Sequence, residues 1–147
     1  MGSRTKAREC ALQALYQLDT SGGEPRDVVR SILAHFEEAD EETAQFAESL
    51  VRGVQGERAA IDELIQRSST HWKLDRMARV DRNILRLAVY EILRRADVPV
   101  RVSLNEAIEL GKKFGSEDSS AFVNGVLDRI ANTAIPGATP KVDKVAR

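Results

Sequence analysis

The chain of 147 residues has one cysteine, Cys10. That excludes an intramolecular disulfide framework and a cysteine-rich zinc site, and it suits a reducing compartment. Cys10 itself reads as a small buried hydrophobe on a helix. Only two histidines occur, His35 and His71, far apart and without an HExxH or CxxC motif, so no His-based metal or catalytic cluster is expected. Aromatic residues make up 5% and prolines number four, two of them at Pro136 and Pro140. Few aromatics and no alternating apolar pattern argue against a β-sandwich or barrel. No apolar run approaches the ~20 residues of a membrane span. The opening MGSRTKAREC lacks the apolar core of a signal peptide, which implies a cytoplasmic protein. Charge of either sign is not in excess: 22 Lys and Arg face 23 Asp and Glu, a net charge of −1. On net charge alone a nucleic-acid binder is not indicated, although an average can conceal opposed faces.

What is present is helical periodicity. A first helix from about Arg4 to Leu18 carries Ala7, Cys10, Ala11, Ala14, Leu15 and Leu18 at helical spacing. Pro25 suits the first position of a second helix, and Asp40 suits the N-cap of a third. Ile61, Leu64 and Ile65 mark a fourth. His71-Trp-Lys-Leu74 reads as a connection whose Trp72 packs between helices. Asp81 to Arg95 is the most apolar stretch and should be the most buried helix. Ser103-Leu-Asn-Glu106 has the spacing of a capping box, with Ser103 as N-cap of a sixth helix that ends at Gly115. Asp118 is the expected cap of a seventh. The reading is all-α: about seven helices in two packed helical bundles, one domain over residues 1–132, and a loose tail over 133–147.

No catalytic constellation is present, and no cofactor or metal site is expected. Gly22-Gly23 is a turn, since no GxxxxGK[ST] surrounds it. The acidic run Glu37–Glu42 reads as solvated surface. Basic residues say more. Arg4, Lys6 and Arg8 precede any acid in the chain, and Arg4 and Arg8, four apart, fall on one helix face suited to phosphate oxygens. Lys112 and Lys113 can extend such a surface. Phe122 is either a core aromatic or a ring that stacks on an unpaired base. Asn124-Gly125 interrupts a helical pattern; a glycine there costs about 1 kcal/mol, which points to tight helix packing or to a close partner.

Five stretches carry a resemblance: Ala7-Arg-Glu-Cys-Ala-Leu-Gln-Ala-Leu-Tyr16, Ile84-Leu-Arg-Leu-Ala-Val-Tyr-Glu91, Asp97-Val-Pro99, Asn105-Glu-Ala-Ile-Glu-Leu-Gly-Lys-Lys-Phe-Gly115 and Phe122-Val-Asn-Gly-Val-Leu-Asp128. Their order and spacing, from residue 4 to about 131, resemble the NusB family of bacterial transcription antitermination factors. The resemblance implies an all-α, non-enzymatic factor that binds boxA, a short single-stranded element of ribosomal RNA transcripts, together with NusE, the small-subunit ribosomal protein. It implies an assembly with NusA, NusG and RNA polymerase in which termination is suppressed. It assigns RNA contact to Arg4, Lys6 and Arg8 and to the neighbourhood of Asp118, Phe122 and Asn124, with Lys112 and Lys113 added by their charge. It assigns NusE contact to Asp81 and Arg82, with Tyr16 nearby. Some members form homodimers, and that alternative stays open.

Overall fold

The computed structural model describes residues 2–134, with side chains through residue 132. The expected tail, 133–147, lies almost wholly outside the described residues. Seven α-helices and no strand occur among those described: α1 (Ser3–Ser21), α2 (Pro25–Leu33), α3 (Glu41–Gly56), α4 (Arg58–Ser68), α5 (Arg79–Arg94), α6 (Val100–Phe114) and α7 (Ser119–Arg129). A 3-10 turn, Leu74–Arg76, precedes α5, and a π-helical turn, Ile130–Ala134, follows α7. None of the described helices is long and apolar enough to cross a membrane. The chain divides into two compact units, one ending at Glu57 and the other beginning at Arg58.

In the first unit α1 packs on α3, and α2 packs on both. The apolar stripe of α1 is buried as its spacing predicts: Ala7, Cys10, Ala11, Ala14 and Leu15 are all at most 2% exposed. Opposite them lie Val29, Ala47, Leu50 and Val51, also inaccessible. Cys10 Sγ donates to the carbonyl of Val29 at 3.7 Å. Burial pushes its thiol pKa up to about 12, so it is inert. α1 runs three residues past its expected end. The Thr20 hydroxyl donates to the Gln17 carbonyl at 2.9 Å, and Gly22, at φ +75°, then ends the helix in a conformation that suits glycine. Pro25 opens α2 as expected. Asp40 caps α3, its carboxylate accepting from the Thr43 amide at 2.9 Å and the Thr43 hydroxyl at 2.8 Å, which holds its pKa below the usual carboxylate value.

In the second unit α5, α6 and α7 pack against one another, and α4 packs on α5 and α7. Nine of the sixteen residues of α5 are buried, and four of the nine are polar: Asp81, Asn83, Arg86 and Glu91. The helix is thus buried as expected, but by more than its apolar stripe. Arg86, 3% exposed, grips Asp62 of α4 through Nε at 2.8 Å and Nη2 at 3.0 Å, and donates from Nη1 to Asn83 at 3.0 Å. A buried guanidinium needs such a fork of acceptors to offset its desolvation.

Three local expectations change. Ser103 is not the N-cap of α6. The helix starts three residues earlier, with Pro99 at the cap position accepting from the amides of Val102 and Ser103. Proline there has a preset φ and no amide to leave unpaired. Ser103 is instead buried and donates to Glu91 Oε1 at 3.0 Å. Asp118 occupies the cap position of α7 without capping it; the Ser119 hydroxyl accepts from the Ser116 amide at 2.9 Å and orders that turn. Gly125 is not a packing glycine: a Cβ there would meet nothing within 4 Å. The close approach lies at Gly111, where a Cβ would stand 3.2 Å from the Ser120 backbone nitrogen, so α6 and α7 meet at that glycine.

Candidate nucleic-acid interface

The basic start of the chain becomes the first two turns of α1. The i, i+4 spacing does put Arg4 and Arg8 on one face, but that face runs onto α3. Phe46 of α3, 8% exposed, meets both side chains. The Arg4 guanidinium carbon sits 4.2 Å from the ring centroid and that of Arg8 sits 5.6 Å away, both within cation–π range. Arg4 stays exposed at the helix end, whereas Arg8, one turn further in, is 3% exposed. The pair is therefore not two equivalent phosphate ligands. Arg4 offers its fork to solvent, and Arg8 is part of the packing between α1 and α3.

Lys6 is half-buried and donates from Nζ to the Glu37 carbonyl at 3.3 Å. It lines a shallow depression of about 490 Å³ with Glu9, Phe36, Glu37 and Glu38, so its surroundings are acidic. Tyr16, 42% exposed, is the apolar side chain that α1 leaves most open to a partner.

In the second unit Lys112 and Lys113 are exposed in the last turn of α6, where cations complement the helix dipole. Lys112 pairs with Glu109 at 3.3 Å, a surface contact between two open side chains. Lys113 lies 5.6 Å from the centroid of Phe114. Asn124 is exposed on α7. Arg82 is half-buried and donates from Nη1 to the Leu74 carbonyl at 3.3 Å, bracing the turn ahead of α5.

Asp81, Asp118 and Phe122 come together in one cleft of about 270 Å³, with Arg76, Met77 and Trp72 completing most of its lining. Phe122 is half-buried and Asp118 exposed. Asp81 is 9% exposed, and its Oδ1 has no hydrogen-bond partner. Trp72, expected to pack between helices, is 54% exposed. Its segment is held instead through backbone: the Trp72 carbonyl accepts from Gln66 Nε2 at 3.1 Å and from the Ser69 hydroxyl at 3.3 Å. A tryptophan between His71 and Lys73, in a segment rich in hydroxyl residues, was the available sign that it faces solvent. Among the described residues no group of three or more His, Cys, Asp or Glu is placed to hold a metal ion.

Comparison with known proteins agrees with this architecture. A profile described as the NusB family matches residues 5–132. The transcription antitermination protein NusB of Anaeromyxobacter dehalogenans (strain 2CP-1) is 58% identical over 133 residues, covering 90% of this chain and 93% of that protein. Among solved structures, NusB of T. maritima is 39% identical with a TM-score of 0.81, covering 88% of this chain and 91% of that one. A crystal structure of the antitermination factors NusB and NusE in complex with double-stranded RNA is also similar, at 28% identity and a TM-score of 0.79, over 87% of this chain and 95% of that one. A helical fold of this order, matched over nearly its whole described length, places the chain in the NusB family of transcription antitermination proteins.

Proposed function

We propose that this protein binds the boxA element of ribosomal RNA transcripts together with NusE, and that in an assembly with NusA, NusG and RNA polymerase it suppresses termination. The similarity to a NusB–NusE–RNA complex supports both ligands. The observation that carries the RNA reading is the exposed Arg4 guanidinium held over Phe46 at 4.2 Å. A preoriented fork at a helix end suits phosphate oxygens and carries no sequence information. Arg4 and Lys6 supply backbone affinity, with Lys112 and Lys113 as further cations. Arg8 acts from beneath, since its burial withholds it from direct contact. Phe122, with Asn124 and Asp118 on the same helix or its cap, contacts unpaired bases. Asp81, Arg82 and Tyr16 form the NusE interface.

The test is fluorescence anisotropy of labelled boxA RNA, with and without NusE, for wild type and for Arg4→Ala/Lys6→Ala. Wild type should bind more tightly with NusE present. The double variant should bind more weakly, and its log–log salt slope should be shallower by about 0.7 for each phosphate that is no longer neutralised. Equal affinities and slopes would remove RNA binding from this face. Asp81→Lys should abolish the NusE enhancement; its survival would remove Asp81 from the partner interface.

A further inference from the structure

We propose that the cleft between Trp72 and Asp81 receives an arginine side chain of the protein partner, with Trp72 as an anchor of that interface. The proposal rests on the partner reading above and names the chemistry by which this cleft would recognise NusE.

Size comes first. At about 270 Å³ the cleft is just under the ~300–1,000 Å³ typical of small-molecule sites, and it suits one long side chain. Its walls are apolar where a side-chain stem would lie: Met77, 7% exposed, and the half-buried Phe122. Its polar end is Asp81, whose Oδ1 is buried without a donor. A buried carboxylate oxygen left in that state costs free energy, and an incoming N–H removes the cost.

Charge then selects the occupant. The ionic side chains of the lining are Arg76 against Asp81 and Asp118, one cation against two anions. That balance attracts a cation and disfavours a phosphate. Arginine fits better than lysine. Its planar guanidinium stacks on an indole face, forks onto a carboxylate and sheds water more readily than an ammonium. Trp72, 54% exposed at the mouth, supplies that face. Tryptophan and arginine are also the residues in which interface binding energy concentrates.

Trp72 is the only tryptophan of the chain, so its emission reports the cleft directly. Titration of purified NusE into wild type, Trp72→Ala and Asp81→Asn measures the interface, and boxA binding without NusE measures the RNA side. NusE affinity is expected to fall at least tenfold in both variants, while RNA affinity stays within twofold of wild type. Trp72→Ala, at an exposed position, keeps the test valid should Asp81→Asn disturb folding. Trp72 emission is expected to shift on NusE binding. NusE affinity within twofold of wild type in Trp72→Ala overturns the proposal. So does a loss of RNA affinity with NusE affinity intact, which would make a nucleobase the occupant. Should wild type fail to bind NusE, the partner reading fails by itself, and N-acetyl-arginine amide decides the cleft. A saturable Trp72 shift, absent with the citrulline analogue and in Asp81→Asn, supports the arginine pocket; no shift overturns it.

Discussion

The Arg4 guanidinium lies 4.2 Å over the ring of Phe46, and the Arg8 guanidinium approaches the same ring at 5.6 Å. One aromatic side chain of α3 thereby orders two cations of α1, one exposed and one buried. Leucine at position 46 would keep the apolar packing and remove the ring quadrupole. An exposed cation–π contact is worth ~0.5–1 kcal/mol, so Phe46→Leu should weaken boxA binding about twofold to fivefold. In an Arg4→Ala background the same change should have no further effect, because its action passes through Arg4. Arg8→Ala should lower stability in urea more than Arg4→Ala does. Anisotropy and urea unfolding on the four variants check these outcomes; additive losses at positions 4 and 46 would break the link.

Gly111 and Gly125 should respond oppositely to alanine. At Gly111 the added Cβ would press on the Ser120 backbone nitrogen at 3.2 Å and its Cα at 3.3 Å, and backbone yields poorly. Gly111→Ala should destabilise by about 1–3 kcal/mol. At Gly125, inside α7 with open space around it, alanine should stabilise by up to about 1 kcal/mol. Urea midpoints at constant m-value measure both. A destabilised Gly125→Ala would show that this backbone is not free to carry a side chain.

The Ser103–Glu91 contact predicts a buried polar cost. Both residues are at most 2% exposed, and the hydroxyl donates to the carboxylate at 3.0 Å. Ser103→Ala removes one donor from a buried carboxylate and should cost about 1–3 kcal/mol. An N-cap serine would give a loss of helix content near residue 100 instead. Amide hydrogen exchange of α6 separates the two, with protection at Val102 and Ser103 expected to persist.

Cys10 predicts behaviour in alkali. Burial raises its thiol from an ordinary value of 9.0 to about 12. Below pH 9 the thiol is neutral in both folded and unfolded chains, and its contribution to stability is fully present. Between pH 9 and about 12 only the unfolded chain ionises, so that contribution is lost as pH rises. The difference in stability between wild type and Cys10→Ala should therefore be flat from pH 6 to 8.5 and decline above 9. At pH 8 a thiol reagent should modify the native protein only as fast as it opens; rapid labelling would contradict the buried assignment.

Much of the fold was legible in the residues, since helical spacing is a local property. The stripe Ala7–Leu18, the proline at 25 and the carboxylate at 40 each act within a turn or two of the backbone, and each sits where its pattern implies. The capping box at 103 misled because proline at 99 started the helix first, and a serine hydroxyl released from capping found a buried carboxylate twelve residues away. Gly125 drew attention by interrupting a pattern, while the tight glycine, Gly111, sat inside an ordinary one.

Helix count, the all-α class and family membership follow from the residues alone, because periodicity and motif spacing persist without knowledge of what packs on what. Which of the basic residues can meet a ligand follows only from packing. Arg4 and Arg8 are indistinguishable as a pair four apart, yet the seating of α1 on α3 buries the second and leaves the first in water. Packing also joined Trp72, Asp81 and Phe122, which are as much as 50 residues apart in sequence, into one cleft. No local pattern encodes that, since burial and charge pairing are set by neighbours that only the folded chain brings together.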